Sequence, residues 1–358
     1  MKVAVIGGGI FGVTAAFKLA EHYEVDLFEK NDDLLKAASD VHHDRIHLGY
    51  HYPRSDITVA EVLRAQNSFN KEFSDAIIKD TENYYCISKK NSLTTAEEYI
   101  KFCQKHGLEF TKSTLGIIDK EQIDLCVKVK EKLYDHEKLK KICWKKLNEN
   151  NVNVLLKKEA TQEILENYDF RVICTYADFN KLLEGFPESQ IDFQYEVCEK
   201  VFVKLPPSFN NKSILTLDGP FTSIDPVGAT GLFILGNSIH TVHQTNIGKY
   251  PHVDSKFLPL LNVGIIKDPP ITNYELFIQS AAKFVPGIKK AKHFGSSFCI
   301  KAVLPHEDIT DTRPTLVSKV NNKTFTVFSG KIPTCVEAAN NVINLIEKSI
   351  KHDYHSTE

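Results

Sequence analysis

The stretch MKVAVIGGGIFGVTAAFKLAEHYEVDLFEK, residues 1–30, decides how the rest of the chain is read. Residues 2–6 (KVAVI) are apolar and β-branched, the composition of a buried strand. The run breaks at Gly7, Gly8 and Gly9, passes Ile10, Phe11 and Gly12, and turns helical through residues 13–20. A second apolar run, 25–28, ends on Glu29 and Lys30. Strand, glycine turn, helix, strand and acid follow in the order of a dinucleotide-binding unit. Gly7 permits the tight turn, and Gly9 leaves bare backbone for a pyrophosphate at the positive end of the helix. Gly12 lets that helix lie close on the sheet. Glu29 stands where it accepts hydrogen bonds from the adenosine ribose. An acid there disfavours a 2′-phosphate, so FAD or NAD is expected rather than NADP. A glycine turn that merely packed helix on sheet would leave the terminal acid unexplained. Ile10, Phe11 and Lys30 flank these positions and are assigned to the cofactor with them.

With 358 residues the chain is long enough for two closely joined domains. Hydrophobic residues make up 42% and charged residues 25%, ordinary for a globular protein. A net charge of −2 gives no electrostatic reason to expect nucleic acid or an anionic membrane as partner. None of the eight cysteines forms a CxxC pair or stands at zinc-ligand spacing, and most lie in apolar context. No apolar run approaches the roughly 20 residues of a membrane span. The first strand starts at residue 2, so the expectation is a reduced, cytoplasmic protein without a leader.

Beyond the opening unit, helices are expected at 57–79, 94–106, 136–150 and 273–284, with a last amphipathic helix at 335–350. Strands are expected at 84–88, 152–156, 168–175, 298–303 and 324–328. Between 195 and 263, strand-like runs at 197–204, 214–217, 231–235 and 239–242 suggest an antiparallel sheet. The last few residues look frayed. The expected fold class is therefore α/β, a Rossmann-like dinucleotide domain with an inserted antiparallel-sheet α+β substrate domain. Residues 1–80, 135–189 and 301–358 would form the first, and 81–134 and 190–300 the second.

Four blocks together carry a family resemblance: Gly7–Gly12 with Glu29; Ser39 followed by HLGYHYP (47–53); YDFRVICTYA (168–177); and Thr312-Arg313-Pro314 with Ser329-Gly330-Lys331-Ile332. They resemble the D-amino-acid-oxidase superfamily of FAD-dependent oxidoreductases. Within it the HxGxHYP stretch is most similar to the glycine oxidase and L-2-hydroxyglutarate oxidase branch. Asp40-Val41-His42-His43 replaces the usual Gly and Asn after the Ser turn, and Gly330-Lys331 stands where glycine-rich runs are common. The resemblance implies FAD as cofactor, with Ala38 and Ser39 along the pyrophosphate and the strand near Val154 beside the adenine. It implies that Thr175 and Ala177 close over the dinucleotide, and that His47, Gly49 and Tyr50 pass beside the isoalloxazine. It further implies that Gly330, Lys331 and Ile332 offer backbone N–H groups to the flavin N1/O2 edge. His47 is the residue through which a covalent flavin link, known in some relatives, would run.

Lys331 has physical support of its own, because a helix start with a neighbouring cation stabilises the charge of a reduced flavin. Thr334 is the expected cap of that helix. The run HHDRIHLGYHYPR (42–54) is dense in histidine, yet no glutamate joins its HxxxH pairs, and Gly49 and Pro53 break a helix. No metal is therefore assigned, and a flavin-facing loop competes with a polar structural turn. A substrate carboxylate or phosphate calls for a bidentate arginine, and Arg54 and Arg313 sit in motif blocks. For both, a structural salt bridge is the plainer alternative. His240, His243 and Tyr52 are further catalytic candidates, the histidines as bases with unperturbed pKa near ~6.5.

The function these residues point to is hydride transfer from a CH–NH or CH–OH group of a small polar substrate to flavin N5. An amino acid, a hydroxy acid or an amino sugar would suit. A flavin-dependent nucleotide-sugar isomerase without net redox is the alternative, and a nucleotide-binding protein without chemistry is a third. The partner expected is a small molecule, with no nucleic acid and no membrane span; the oligomeric state is open.

Overall fold

The computed structural model describes residues 1–219, 222–307 and 310–355. Its first third runs β1 (Lys2–Ile6), α1 (Ile10–Leu19), β2 (Glu24–Phe28), β3 (Arg45–Ile46), α2 (Asp56–Phe73), β4 (Ile77–Ile78) and β5 (Glu82–Ser88). Then come α3 (Ala96–Lys105), β6 (Phe110–Lys112), β7 (Ile123–Val129), β8 (Lys132–Tyr134), α4 (His136–Glu149), β9 (Asn153–Leu155), α5 (Gln162–Leu165) and β10 (Phe170–Ile173). The middle holds β11 (Phe193–Lys204), β12 (Lys212–Leu217), β13 (Thr222–Val227), β14 (Leu232–Asn237) and β15 (Val242–Gly248). The chain closes with α6 (Tyr274–Ala281), β16 (Lys292–Val303), β17 (Leu316–Lys319), β18 (Thr324–Phe328) and α7 (Cys335–His355). The extreme C-terminus expected to fray lies partly outside the described residues.

Two large sheets organise these elements. The six-stranded sheet has the order β17-β18-β10-β1-β2-β9. Its pairings are parallel except β17 with β18. α1 is buried along almost its whole length, between this sheet and α7, because its residues are apolar on every side. The nine-stranded sheet joins β5, β6 and β7 to β11–β16. It is mixed rather than wholly antiparallel: β5 and β12 run parallel, pairing Tyr84 with Ile214 and Ile87 with Leu217. A small sheet of β3, β8 and β4 carries the loop between them.

Several expectations need correcting. Of the strand expected at 239–242, residues 239–241 form a turn before β15, because Asn237 Oδ1 accepts from the N–H groups of Ile239 and His240. Strands β7 and β13 were not expected: the lysine and aspartates within them interrupt the apolar pattern. The expected helix 57–79 ends at Phe73, and Ser55 caps its start by accepting from Thr58 N–H at 3.3 Å. The helix expected from 94 starts at Ala96 under a complete Thr95–Glu98 capping box. No helix among the described residues is long and apolar enough to cross a membrane.

Candidate active site

A cavity of about 750 Å³ lies between the two sheets and runs from the glycine turn to β11–β14. At one end Gly7, with φ +107°, turns the chain out of β1; a Cβ there would lie 2.5 Å from Cys174 O. A Cβ on Gly12 would come within 1.8 Å of Gly7 O, so this glycine seats α1 against the turn and does not line the cavity. Gly9 is different: an added Cβ would meet only Ser39 Oγ, at 3.1 Å, which leaves its cavity side bare. Ser39 Oγ accepts from Ile10 N–H at 3.1 Å at the start of α1. Glu29 Oε2 accepts from Gly8 N–H at 2.6 Å, and Oε1 accepts from Asn31 N–H at 2.7 Å, so the acid is aimed before any ligand arrives. Lys30 is paired with Asp178 at the same end. Thr175 Oγ1 is buried on the cavity wall without a hydrogen bond among the described residues, with Ala177 beside it. A bare cradle, an oriented acid and an orphaned hydroxyl fit a dinucleotide such as FAD.

The middle of the cavity is walled by the loop after β2. Ala38, Ser39, His42, His43, His47 and His51 all line it. Beneath them Arg45, 5% exposed, bridges two sealed carboxylates. Its Nη2 donates to Asp225 Oδ1 at 2.6 Å, and its Nη1 lies 3.5 Å from Glu131 Oε1. Each carboxylate reaches a histidine of the same loop. Asp225 Oδ2 is 2.8 Å from His43 Nδ1; Glu131 Oε1 is 3.5 Å from His47 Nδ1, too long for a good hydrogen bond. Tyr85 also donates to Glu131 Oε1, at 2.6 Å. Burial lowers the pKa of both histidines, that of His43 to about 3, with Asp225 opposing the shift.

At the far end Lys331 Nζ stands 4.7 Å above the Tyr52 ring. Burial, followed by the Arg313 charge, brings Lys331 down to about 7. Tyr52 Oη is buried on the cavity wall without a partner among the described residues, and burial raises its pKa. Both arginines expected to hold an anion line the cavity, and each has an aspartate. Arg54 Nε donates to Asp218 Oδ2 at 2.8 Å, and Arg313 Nη2 lies 2.9 Å from Asp311 Oδ1. Ile332 lines the wall next to Lys331. The Gly330 N–H, by contrast, donates to Thr315 Oγ1 at 3.2 Å, so it is already engaged. Thr334 does not cap α7 in the expected way: its hydroxyl donates to Lys331 O at 2.7 Å.

Besides Gly12, five residues do not line the cavity where a site role was expected, and one of them, Tyr50, is turned away with its hydroxyl donating to Glu109 O at 2.6 Å. Gly49 (φ +100°) packs on α2, where a Cβ would meet Val59 Cγ1 at 2.8 Å. Val154 pairs with Leu27 inside the sheet, while Lys158, Glu159 and Ala160 just beyond it line the wall. His240 and His243 are on the back of the nine-stranded sheet. On β11 Glu196, Cys198 and Lys200 point into the cavity, which sends Glu199 the other way. There His243 Nε2 meets Glu199 Oε2 at 2.8 Å between Phe257 and Phe298, and His240 Nε2 meets Ser280 Oγ at 2.9 Å. His42, Asp44 and His136 bring ligand atoms within 4.8 Å of one another. His42 is already engaged at both nitrogens, by Asp44 N–H (2.9 Å) and by Ser39 O (2.6 Å).

Sequence reasoning missed Asp225, Glu131 and Lys200. For Asp225 and Lys200 the signal available was a charged residue within a strand, as in TSIDPV (222–227), whereas Glu131 lies in the link between β7 and β8 and gave no such signal.

The family model described as FAD-dependent oxidoreductase (DAO) matches residues 2–178. An FAD-dependent monooxygenase of Fusarium mangiferae is 24% identical over 354 residues, 97% of this chain and 91% of that protein. Glycine oxidase from Geobacillus kaustophilus superposes with a TM-score of 0.70 at 15% identity, covering 97% of this chain and 94% of its own. Dithionite-reduced L-α-glycerophosphate oxidase from Mycoplasma pneumoniae, with FAD bound, gives 0.71 at 13% identity over 97% and 94%.

Proposed function

We propose, from the premise that this chain belongs to the FAD-dependent oxidoreductases of the DAO family, that it oxidises a CH–NH or CH–OH group of a small polar molecule. The observation that carries this is one continuous cavity with the bare Gly9 cradle at one end and Lys331 over Tyr52 at the other. When bound, FAD supplies the hydride acceptor. Residues 1–80, 135–189 and 301–358 would hold the cofactor, and 81–134 and 190–300 the substrate. Gly9 and Ser39 receive the pyrophosphate and Glu29 the ribose. Thr175 closes over the dinucleotide with a hydroxyl that has no other partner among the described residues. Lys331, lowered to about 7, gains its proton where negative charge accumulates and so compensates it. Tyr52 holds a buried hydroxyl ready for a polar ligand, and Arg54 with Asp218 shapes the opening.

Purified protein is expected to be yellow and to bleach anaerobically with a member of a panel of amino acids, hydroxy acids and amino sugars. A colourless protein unable to take up FAD overturns the reading. Activity on a nucleotide sugar that appears only after dithionite reduction would establish the isomerase instead.

A further inference from the structure

We propose that His43, held by Asp225, is the proton acceptor of this cavity, and that the bond it serves is the O–H of a hydroxyl substrate. The proposal rests on the function proposed above and names the substrate class within it.

Asp225 is sealed from solvent and saturated: it accepts from Arg45 Nη2 (2.6 Å), Arg45 Nε (3.3 Å) and Ser213 Oγ (2.6 Å). Its remaining approach, Oδ2 to His43 Nδ1 at 2.8 Å, fixes the tautomer with the proton on Nδ1. Nε2 then carries the lone pair, and it makes no hydrogen bond among the described residues. The ring lies across bare backbone: a Cβ on Gly236 would come within 2.4 Å of Nε2. His47 lacks this arrangement, since Glu131 is 3.5 Å from its Nδ1. The groups facing His43 are Asp225 and Ser223 on β13, Lys200 on β11, and Arg45 from its own loop. Burial and the Lys200 charge keep the ring neutral, with its pKa lowered to about 3.

A ring held in one tautomer, its Nε2 free of other partners among the described residues, suits a reaction that must shed a proton as the hydride leaves. A neutral amine is oxidised by hydride loss alone, and the iminium it leaves needs no base at that step. An alcohol must also lose its hydroxyl proton. As the C–H bond breaks and its hydride passes to FAD, the O–H becomes strongly acidic. The proton then moves to His43 Nε2 and the O–H electron pair forms the C=O bond. Two electrons and one hydrogen leave with the hydride, and one proton leaves to the imidazole.

The test uses ¹⁵N-histidine NMR of the FAD-bound wild type, His43→Gln and Asp225→Asn, between about pH 5 and 9. His43→Gln identifies the signals and leaves the Asp225–Arg45 pair in place should Asp225→Asn fail to fold. Expected is a neutral His43 with the proton on Nδ1 throughout, and a mixed or reversed tautomer in Asp225→Asn. Anaerobic reduction by a hydroxy acid should slow about a hundredfold in His43→Gln, with KM changed far less and FAD affinity unaltered. A wild-type tautomer protonated on Nε2, bleaching by amino compounds alone, or a His43→Gln rate within about threefold of wild type overturns it. The tautomer decides the matter even if no panel member bleaches the flavin, whereas failure to bind FAD defeats the underlying function.

Discussion

Arg45 Nη2 and Asp225 Oδ1 lie 2.6 Å apart, in a place where the arginine is 5% exposed and the aspartate 0%. Breaking such a pair strands a charge, so Asp225→Ala should cost about 3–5 kcal/mol in urea unfolding. Replacing both partners by Arg45→Met and Asp225→Leu should cost less than the single change. Burial alone would raise the Asp225 pKa; the Arg45 charge, then His43 and Ser213, bring it down to about 2. Its folded pKa being depressed, the stability it contributes is present above about pH 4 and lost as pH falls towards 2. Asp225→Asn should flatten that acid limb.

Two glycines of one turn should respond oppositely to alanine. Gly12→Ala puts a Cβ 1.8 Å from Gly7 O and should destabilise the apoprotein by about 3 kcal/mol or prevent folding. Gly9→Ala meets only Ser39 Oγ, at 3.1 Å, and should leave apo stability within about 1 kcal/mol. Its FAD affinity, read by quenching of flavin fluorescence, should nevertheless drop at least about tenfold.

Lys331 gives the apoprotein an alkaline signature. With its pKa lowered to about 7, the folded state gives up this proton more readily than the unfolded chain, whose lysines titrate near ~10.4. The unfolded state therefore binds more protons between those values, and stability rises with pH across that window. Lys331→Met should be more stable than wild type at pH 6, with the difference shrinking towards pH 10. Equal pH profiles for the two proteins would place the ammonium in solvent.

His243→Ala should lower the melting temperature by several degrees, because Glu199, 0% exposed, loses the partner at 2.8 Å. Flavin binding and reduction should stay within about twofold of wild type, since the ring is on the far side of the sheet. A large loss of reduction rate would contradict that placement.

Thr175→Val removes a buried hydroxyl that has no partner among the described residues. The apoprotein should be as stable or slightly more so, while FAD affinity should fall about five- to tenfold, both by calorimetry.

The glycine-turn end of the cavity was legible in the sequence because its geometry is local: Gly7, Gly9 and Glu29 lie in one βαβ unit and all three line the wall. The roof was not. Asp225 meets His43 across 182 positions of chain, and only the pairing of β13 with β14 and β12 aims it inward. His240 and His243 misled for a related reason. Which face of β15 and its turn meets the cavity is decided by the alternation along β11, where Lys200 and Glu199 point opposite ways.

The order of strands in the six-stranded sheet also bears on how the protein is made. β10 lies between β1 and β18, so a strand finishing at Ile173 waits for one that begins at Thr324. β5 likewise stays an open edge until Lys212–Leu217 has been synthesised. A ribosome-bound fragment ending near residue 178 would thus expose unsatisfied edges of both sheets. Folding is expected to be a late, all-or-nothing event with slow kinetics from distant pairings, and chaperone dependence should peak just before the C-terminal helix emerges.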